Sequence, residues 1–295
     1  MKRSAFAPGS IPSVRFVNLG CGPVFVAEPE WINFDFVSRS RHVLSADLLQ
    51  PLPLESRSVD AVYSSHFIEH IPRDNVHTVL NECARVLKPG GILRLVMPDF
   101  EEMCAAYLMY RQKGDHEKAD FLVIEIIDQS VRRYPGGELG KYYHKLAGDK
   151  KSSGDMIDFL GFRNGHLLHS DSFSHDISTL EITQKNVTIK KRIRQSLLAT
   201  RSLLEDFLFQ VGIRLLPRPF VRQNVSFASL GELHHWLWDF HQLKHELIAA
   251  GFQDVVRMNP SESNIPNFPY HPLDIYPDGR PRKGAESMYV EAFMP

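Results

Sequence analysis

Cysteine is scarce. Cys21, Cys83 and Cys104 are the chain's three, and no two stand at CxxC spacing. That excludes a disulfide framework and a cysteine-rich zinc site, and an odd, scattered set suits a reducing interior. Long apolar runs are lacking too: nothing approaches the roughly 18 residues that a membrane-spanning helix needs. Lys2 and Arg3 are followed by Pro8 and Gly9 instead of an apolar stretch, so no signal peptide is expected. Neither sign of charge is in excess. The 34 basic residues face 35 acidic ones, which leaves no chain-wide basis for binding nucleic acid. There is no internal repeat and no low-complexity tract.

What is present is a globular composition, 43% hydrophobic and 23% charged over 295 residues. That is enough for a sizeable core and for one elaborated domain or two. Strand and helix signals alternate through the first third. Val14 to Leu19, Trp31 to Phe36, His42 to Leu44 and Val59 to Ser64 read as strands. From Pro72 to Leu87, apolar Val76, Val79, Leu80, Cys83, Val86 and Leu87 recur at helical spacing. Lys88-Pro89-Gly90-Gly91 then stops the helix before a strand over Ile92 to Met97. The pattern resumes with a helix from Phe240 to Ala250 closed by Gly251, then strands Val255 to Met258 and Met288 to Phe293 around a long loop. Such alternation implies crossovers and a mostly parallel sheet, capped at one edge by an antiparallel pair.

Between residues 113 and 231 the period breaks. We read that stretch as an insertion over the sheet, with residues 1–112 and 232–295 forming the core. Within it, residues 185–222 hold nine basic residues against two acidic ones, beside an apolar stripe that includes Leu197, Leu204, Leu208, Val211 and Leu215. A basic helix with an apolar stripe can lie on an anionic membrane, or form a homodimer face.

Parallel sheets bind ligands outside the carboxyl ends of their strands. Gly20 and Gly22 end the first strand, where bare backbone lets a ligand approach closely. Asp35 ends the second, where a carboxylate can accept both hydroxyls of a ribose. Asp47 and Leu48 follow the third, placed for an adenine amino group and ring. Ser64, Ser65 and His66 follow the fourth. Together they outline a site for an adenosine with a non-phosphate tail.

The segments VNLGCGP, INFDF, SADLLQPLPLESRSVDAVYSSHFIEHIP, LNECARVLKPGGILRLVMPDFE and LKHELIAAGF resemble class I S-adenosylmethionine-dependent methyltransferases. More narrowly, they are similar to bacterial methyltransferases encoded among cell-surface polysaccharide genes. The resemblance covers residues 14–112 and 232–295. It implies a Rossmann-like α/β fold: a mostly parallel seven-stranded sheet with helices on both faces and a large helical lid. It implies S-adenosyl-L-methionine as cofactor, with Gly20, Cys21 and Gly22 beside its methionine part, Asp35 on the ribose, Asp47 and Leu48 on the adenine, and Ser64 or Ser65 near the amino-acid end. Asn18 stands at a cofactor-side position where many members carry an acid. Only residues 23–34 separate Gly22 from Asp35, so the first crossover has room for at most a very short helix.

The implied reaction is in-line attack on a sulfonium methyl group, with a sugar or glycan hydroxyl as the expected acceptor. A small natural product methylated at O, N or C is the alternative, and a catalytically inactive binding protein is another. A nicotinamide oxidoreductase is disfavoured because Phe25 stands where GxGxxG needs its third glycine. A hydroxyl acceptor calls for a general base; His66 is the first candidate and His70 the second, ahead of His144, His166 and His169. His66-Phe67-Ile68-Glu69-His70 matches an HxxEH metal pattern, but following a strand its Glu69 and His70 are expected to brace the loop. No metal is expected there, among the polar residues 164–176, or at His241 and His245. The expected location is the cytoplasm, extending to peripheral contact at the inner membrane face.

Overall fold

The computed structural model describes residues 15–38, 40–148, 154–165, 208, 211–226 and 232–295. His166, His169, Asp171, His175, Asp176 and most of the basic stretch 185–222 lie outside the described residues.

Seven strands form one sheet: β1 (Phe16–Leu19), β2 (Trp31–Asp35), β3 (Val43–Ser45), β4 (Val59–Ser65), β5 (Leu87–Pro98), β6 (Gln253–Met258) and β7 (Ser287–Phe293). Their order is β3-β2-β1-β4-β5-β7-β6. β1 to β5 run parallel, and β7 is antiparallel to both β5 and β6. The central strands are largely apolar and buried because a parallel sheet is covered on both faces; every residue of β1 is buried, Asn18 included.

One face is covered by helices. In α1 (Arg73–Val86) the residues Val76, Val79, Leu80, Cys83 and Val86 form the buried stripe. They share a core with Leu243 and Leu247 of a later helix, Phe240–Ala249, and with Leu19, Val62, Leu93 and Val290 of the sheet. On the other face the connection between β6 and β7 lies over the strands. Its Ile265, Phe268 and Leu273 pack on Phe16, Trp31, Tyr63, Ile92 and Tyr289. That connection is pinned by buried charge. The Arg94 guanidinium, fully buried in β5, donates to Asp274 and Glu291 at 2.8 Å each, and to the carbonyl of Glu262 at 2.9 Å.

The first crossover contains no helix. Its carbonyls still need donors, and two buried asparagines supply them: Asn18 donates to Val24 at 3.2 Å, and Asn33 to Val26 at 2.8 Å. Helix α1 ends before Lys88-Pro89-Gly90-Gly91, as expected, but the strand starts earlier than Ile92. β5 runs back through that segment as far as Leu87, with a register shift opposite β4 between Val59 and Ala61. Gly90 takes φ +77°, and its N–H donates to Met294 at 2.9 Å.

After β5 come α2 (Phe100–Gln112), α3 (His116–Val131), α4 (Gly137–Gly148) and α5 (Gly154–Asn164). They share a separate apolar cluster around Ala106, Phe121, Leu122, Met156 and Leu160. Buried Arg163 of α5 ties them together, donating to Glu125 of α3 at 2.6 Å and Glu102 of α2 at 2.9 Å.

Candidate functional site

The strand order reverses between β1 and β4, so the carboxyl ends of β1 to β4 flank the crevice where such sheets hold ligands. Register brings these ends level: Leu19 pairs with Phe34 and Ser64, and Asp35 with Ser45. Past β1 the chain turns through Gly20 at φ +62° and Gly22 at φ +52°. Asp35 organises that turn. Its carboxylate accepts from the Gly22 N–H at 2.8 Å and from the Val37 N–H at 3.1 Å. Around Gly22 nothing would meet an added Cβ within 4 Å, so this backbone faces open space. At Gly20 a Cβ would fall 2.6 Å from the Phe67 ring, so there the bare backbone admits a protein side chain.

Asp47 is exposed just beyond β3, one strand over from Asp35, and accepts from the Leu49 N–H at 3.0 Å; Leu48 beside it is buried. Ser64 is buried, and its hydroxyl donates to Leu19 at 2.9 Å, so that side chain serves the sheet. Ser65 ends β4 half-buried. Asn18 is 1% exposed, with its amide turned to Val24 and Asn33 within the crossover instead of the rim. Cys21 is buried, and burial, with the Asp35 charge second, pushes its thiol up to about 12. It stays a neutral thiol.

His66 follows β4 with φ +49°, a left-handed conformation unusual for a side chain of its size. Its Nε2 lies 3.1 Å from Ser287 Oγ at the start of β7, and its Nδ1 lies 3.3 Å from Glu69 Oε1. Glu69 is itself buried, and burial pushes its carboxyl up to about 8. His70 turns away from the rim: its Nδ1 meets the Leu233 carbonyl at 2.9 Å, and its ring packs edge-on to His234 at 4.7 Å. Burial lowers the affinity of both imidazoles for protons, that of His234 to about 3. His144 is exposed on α4.

Ser287 also lines a cleft of about 640 Å³ between α5 and the outer end of the rim. Phe162, Asn259, Arg280, Lys283 and Tyr289 line it as well. The Phe162 ring is 69% exposed. Arg257, on the cleft wall, is held by Asp99 and Glu101. Neither Asn33, His234 and Ser287 nor the residues lining the cleft stand out in the sequence as site residues. One signal was available for the β6–β7 side: a lone arginine in ILRLVMP and a lone glutamate in MYVEAF, each inside an apolar strand, require partners, and Arg94 and Glu291 are register neighbours.

Against known proteins, residues 32–95 match the family described as "Methyltransferase domain". The match runs from β2 to the middle of β5 and takes in Asp35, Asp47, Ser64, Ser65 and His66. It supports a methyltransferase core with S-adenosylmethionine as its cofactor. No curated protein matches the chain. Among solved structures, a SAM-dependent methyltransferase of Thermotoga maritima is 14% identical, covering 96% of this chain and 84% of that one, with a TM-score of 0.36. A SAM-dependent methyltransferase of Archaeoglobus fulgidus is 12% identical, covering 96% and 87%, with a TM-score of 0.35. Superpositions this loose do not bear on the chemistry, which rests on the chain's own residues.

Proposed function

We propose that the protein transfers the methyl group of S-adenosylmethionine to a hydroxyl of a sugar or glycan precursor held in the cleft beside His66. One observation carries the reading: Ser287 belongs to the cleft and also sits 3.1 Å from His66 Nε2. The histidine after β4 thus joins the nucleotide rim to a second, separate hollow. The bound cofactor would supply an electrophilic methyl group on a good leaving group. The Gly20–Gly22 turn with Asp35 would hold its amino-acid and ribose portions, and Asp47 with Leu48 its adenine.

The chain's own task is then alignment and proton removal. Holding the two partners in line is worth roughly 7–11 kcal/mol of barrier. His66 would take the proton of the acceptor hydroxyl as that oxygen accepts the methyl group the cofactor supplies, with Ser287 beside its Nε2. The cleft suits a polyol: Asn259, Arg280 and Lys283 offer donors for hydroxyls, and Phe162 and Tyr289 offer flat apolar surface for a sugar ring. A membrane-borne precursor would also explain the exposed Val211, Leu215, Leu216 and Phe220 near Arg214 and Arg218. The test is methyl transfer from radiolabelled cofactor into sugar and glycan-precursor acceptors. His66→Ala should keep cofactor affinity and lose about 10²–10⁴-fold in turnover. Undiminished turnover would remove His66 as the base, and transfer only to non-sugar metabolites would move the acceptor to another class.

A further inference from the structure

The loop after β4 meets the chain returning at residues 232–236. The Glu69 carbonyl accepts from the N–H groups of His235 at 2.7 Å and Trp236 at 3.3 Å, and the His234 N–H donates to Gln129 at 2.9 Å. These contacts place the side chains of Glu69, His70 and His234 together, with a ligating atom of each within 4.8 Å of the others.

We propose that Glu69, His70 and His234 bind a divalent transition-metal ion of the zinc type, which clamps the returning chain onto the loop that carries His66. The first ground is Glu69. It is 1% exposed, and neither carboxylate oxygen has a hydrogen bond among the described residues; His66 Nδ1, 3.3 Å from Oε1, stands at ion-pair distance only. A buried carboxylate in that state is costly unless something satisfies it. The second ground is His70. Its Nδ1 is engaged by the Leu233 carbonyl, which fixes the proton on that nitrogen and leaves the Nε2 lone pair bare. A backbone carbonyl on the far nitrogen is the usual support of a metal-bound histidine. The third is the donor set. Two imidazoles and one carboxylate suit zinc, whereas magnesium and calcium prefer all-oxygen cages. The basic side chain that acts on Glu69 is Lys283. Three protein ligands leave one tetrahedral position for water.

The sequence reading missed this because the third ligand comes from far along the chain. HxxEH alone offered His66 and His70, but the structure turns His66 to Ser287 and brings His234 in its place.

The test reads binding, so its outcome is independent of whether methyl transfer is found. Metal-stripped full-length protein is titrated with zinc and, separately, with magnesium, followed by calorimetry and thermal unfolding. We expect one equivalent of zinc bound, an upward shift in Tm reversed by chelator, and no shift with magnesium. Glu69→Gln and His234→Gln should each weaken zinc binding at least ~10-fold, since even outer partners of metal ligands cost 10–100-fold. Should either variant misfold, cobalt in the wild-type protein supplies the second measurement, through the visible bands of a low-symmetry nitrogen–oxygen site. Folded wild-type protein that binds no zinc, variants that bind it as tightly as wild type, or cobalt with only the spectrum of the hydrated ion would each overturn the proposal and leave Lys283 as the group that answers Glu69.

Discussion

Arg94→Met tests how the cleft wall is held. The guanidinium sits at zero exposure between the Phe268 and Tyr289 rings and bonds Asp274, Glu291 and two loop carbonyls. Methionine matches much of its volume but removes the cation, leaving two carboxylates with at most 1% exposure. Breaking a buried pair costs about 3–5 kcal/mol. Asp274 keeps the Tyr63 hydroxyl, and Glu291 keeps Ser263 and Asn264. These leave the loss near the middle of that range, about 4 kcal/mol at neutral pH. For a chain of this size that lowers Tm by roughly 8–16 °C. The sign with pH follows from which form burial prefers. Burial already raises Asp274 above the usual carboxylate range even with Arg94 present. Without the cation Asp274 favours protonation in the folded state still more, so the deficit shrinks as pH falls toward the ordinary carboxylate range and is largest above neutrality. Thermal unfolding of wild type and variant at pH 5 and pH 8 is the assay. A Tm change under about 2 °C at pH 8, or an equal deficit at both pH values, would refute the account of the buried charges.

Two further outcomes follow from the same kind of argument. Burial, with the Glu125 charge adding to it, pushes Glu286 up to about 8 from an ordinary 4.5; the folded state therefore holds a proton that the unfolded chain releases, and stability falls as pH rises from about 4.5 through 8. Glu286→Gln should flatten that fall, and chemical denaturation across this range that shows an unchanged slope would sink it. The exposed apolar positions beside Arg214 and Arg218 predict sedimentation with anionic liposomes that weakens with salt; Leu215→Asp should abolish it, and no sedimentation of the wild type would remove the membrane contact.

The parts legible in the sequence are those with local causes. Parallel strands buried on both faces appear as short apolar runs, so β1, β2 and β4 were readable, and α1 shows its stripe directly. The strand-end residues Gly20, Gly22, Asp35 and Asp47 were readable because topology assigns them one rim. Lys88-Pro89-Gly90-Gly91 follows the end of α1 as its residue types suggest, and only the strand's start was placed late: β5 begins at Leu87, with a register shift opposite β4. Asn18 was named for the cofactor side, and its role in the crossover, like that of Asn33, escaped because the partners are backbone carbonyls of a helix-free connection. The cleft, Ser287 and His234 escaped for another reason: each depends on contacts between residues far apart in the chain, which no local pattern encodes.

The central claim is that the rim grips an adenosine-bearing sulfonium through Asp35. Calorimetry of the full chain with S-adenosylmethionine measures it directly. The account predicts saturable one-to-one binding that Asp35→Ala weakens strongly without unfolding the protein. Folded wild-type protein that takes up no cofactor at millimolar concentration, or an Asp35→Ala variant that binds as well as wild type, would contradict it.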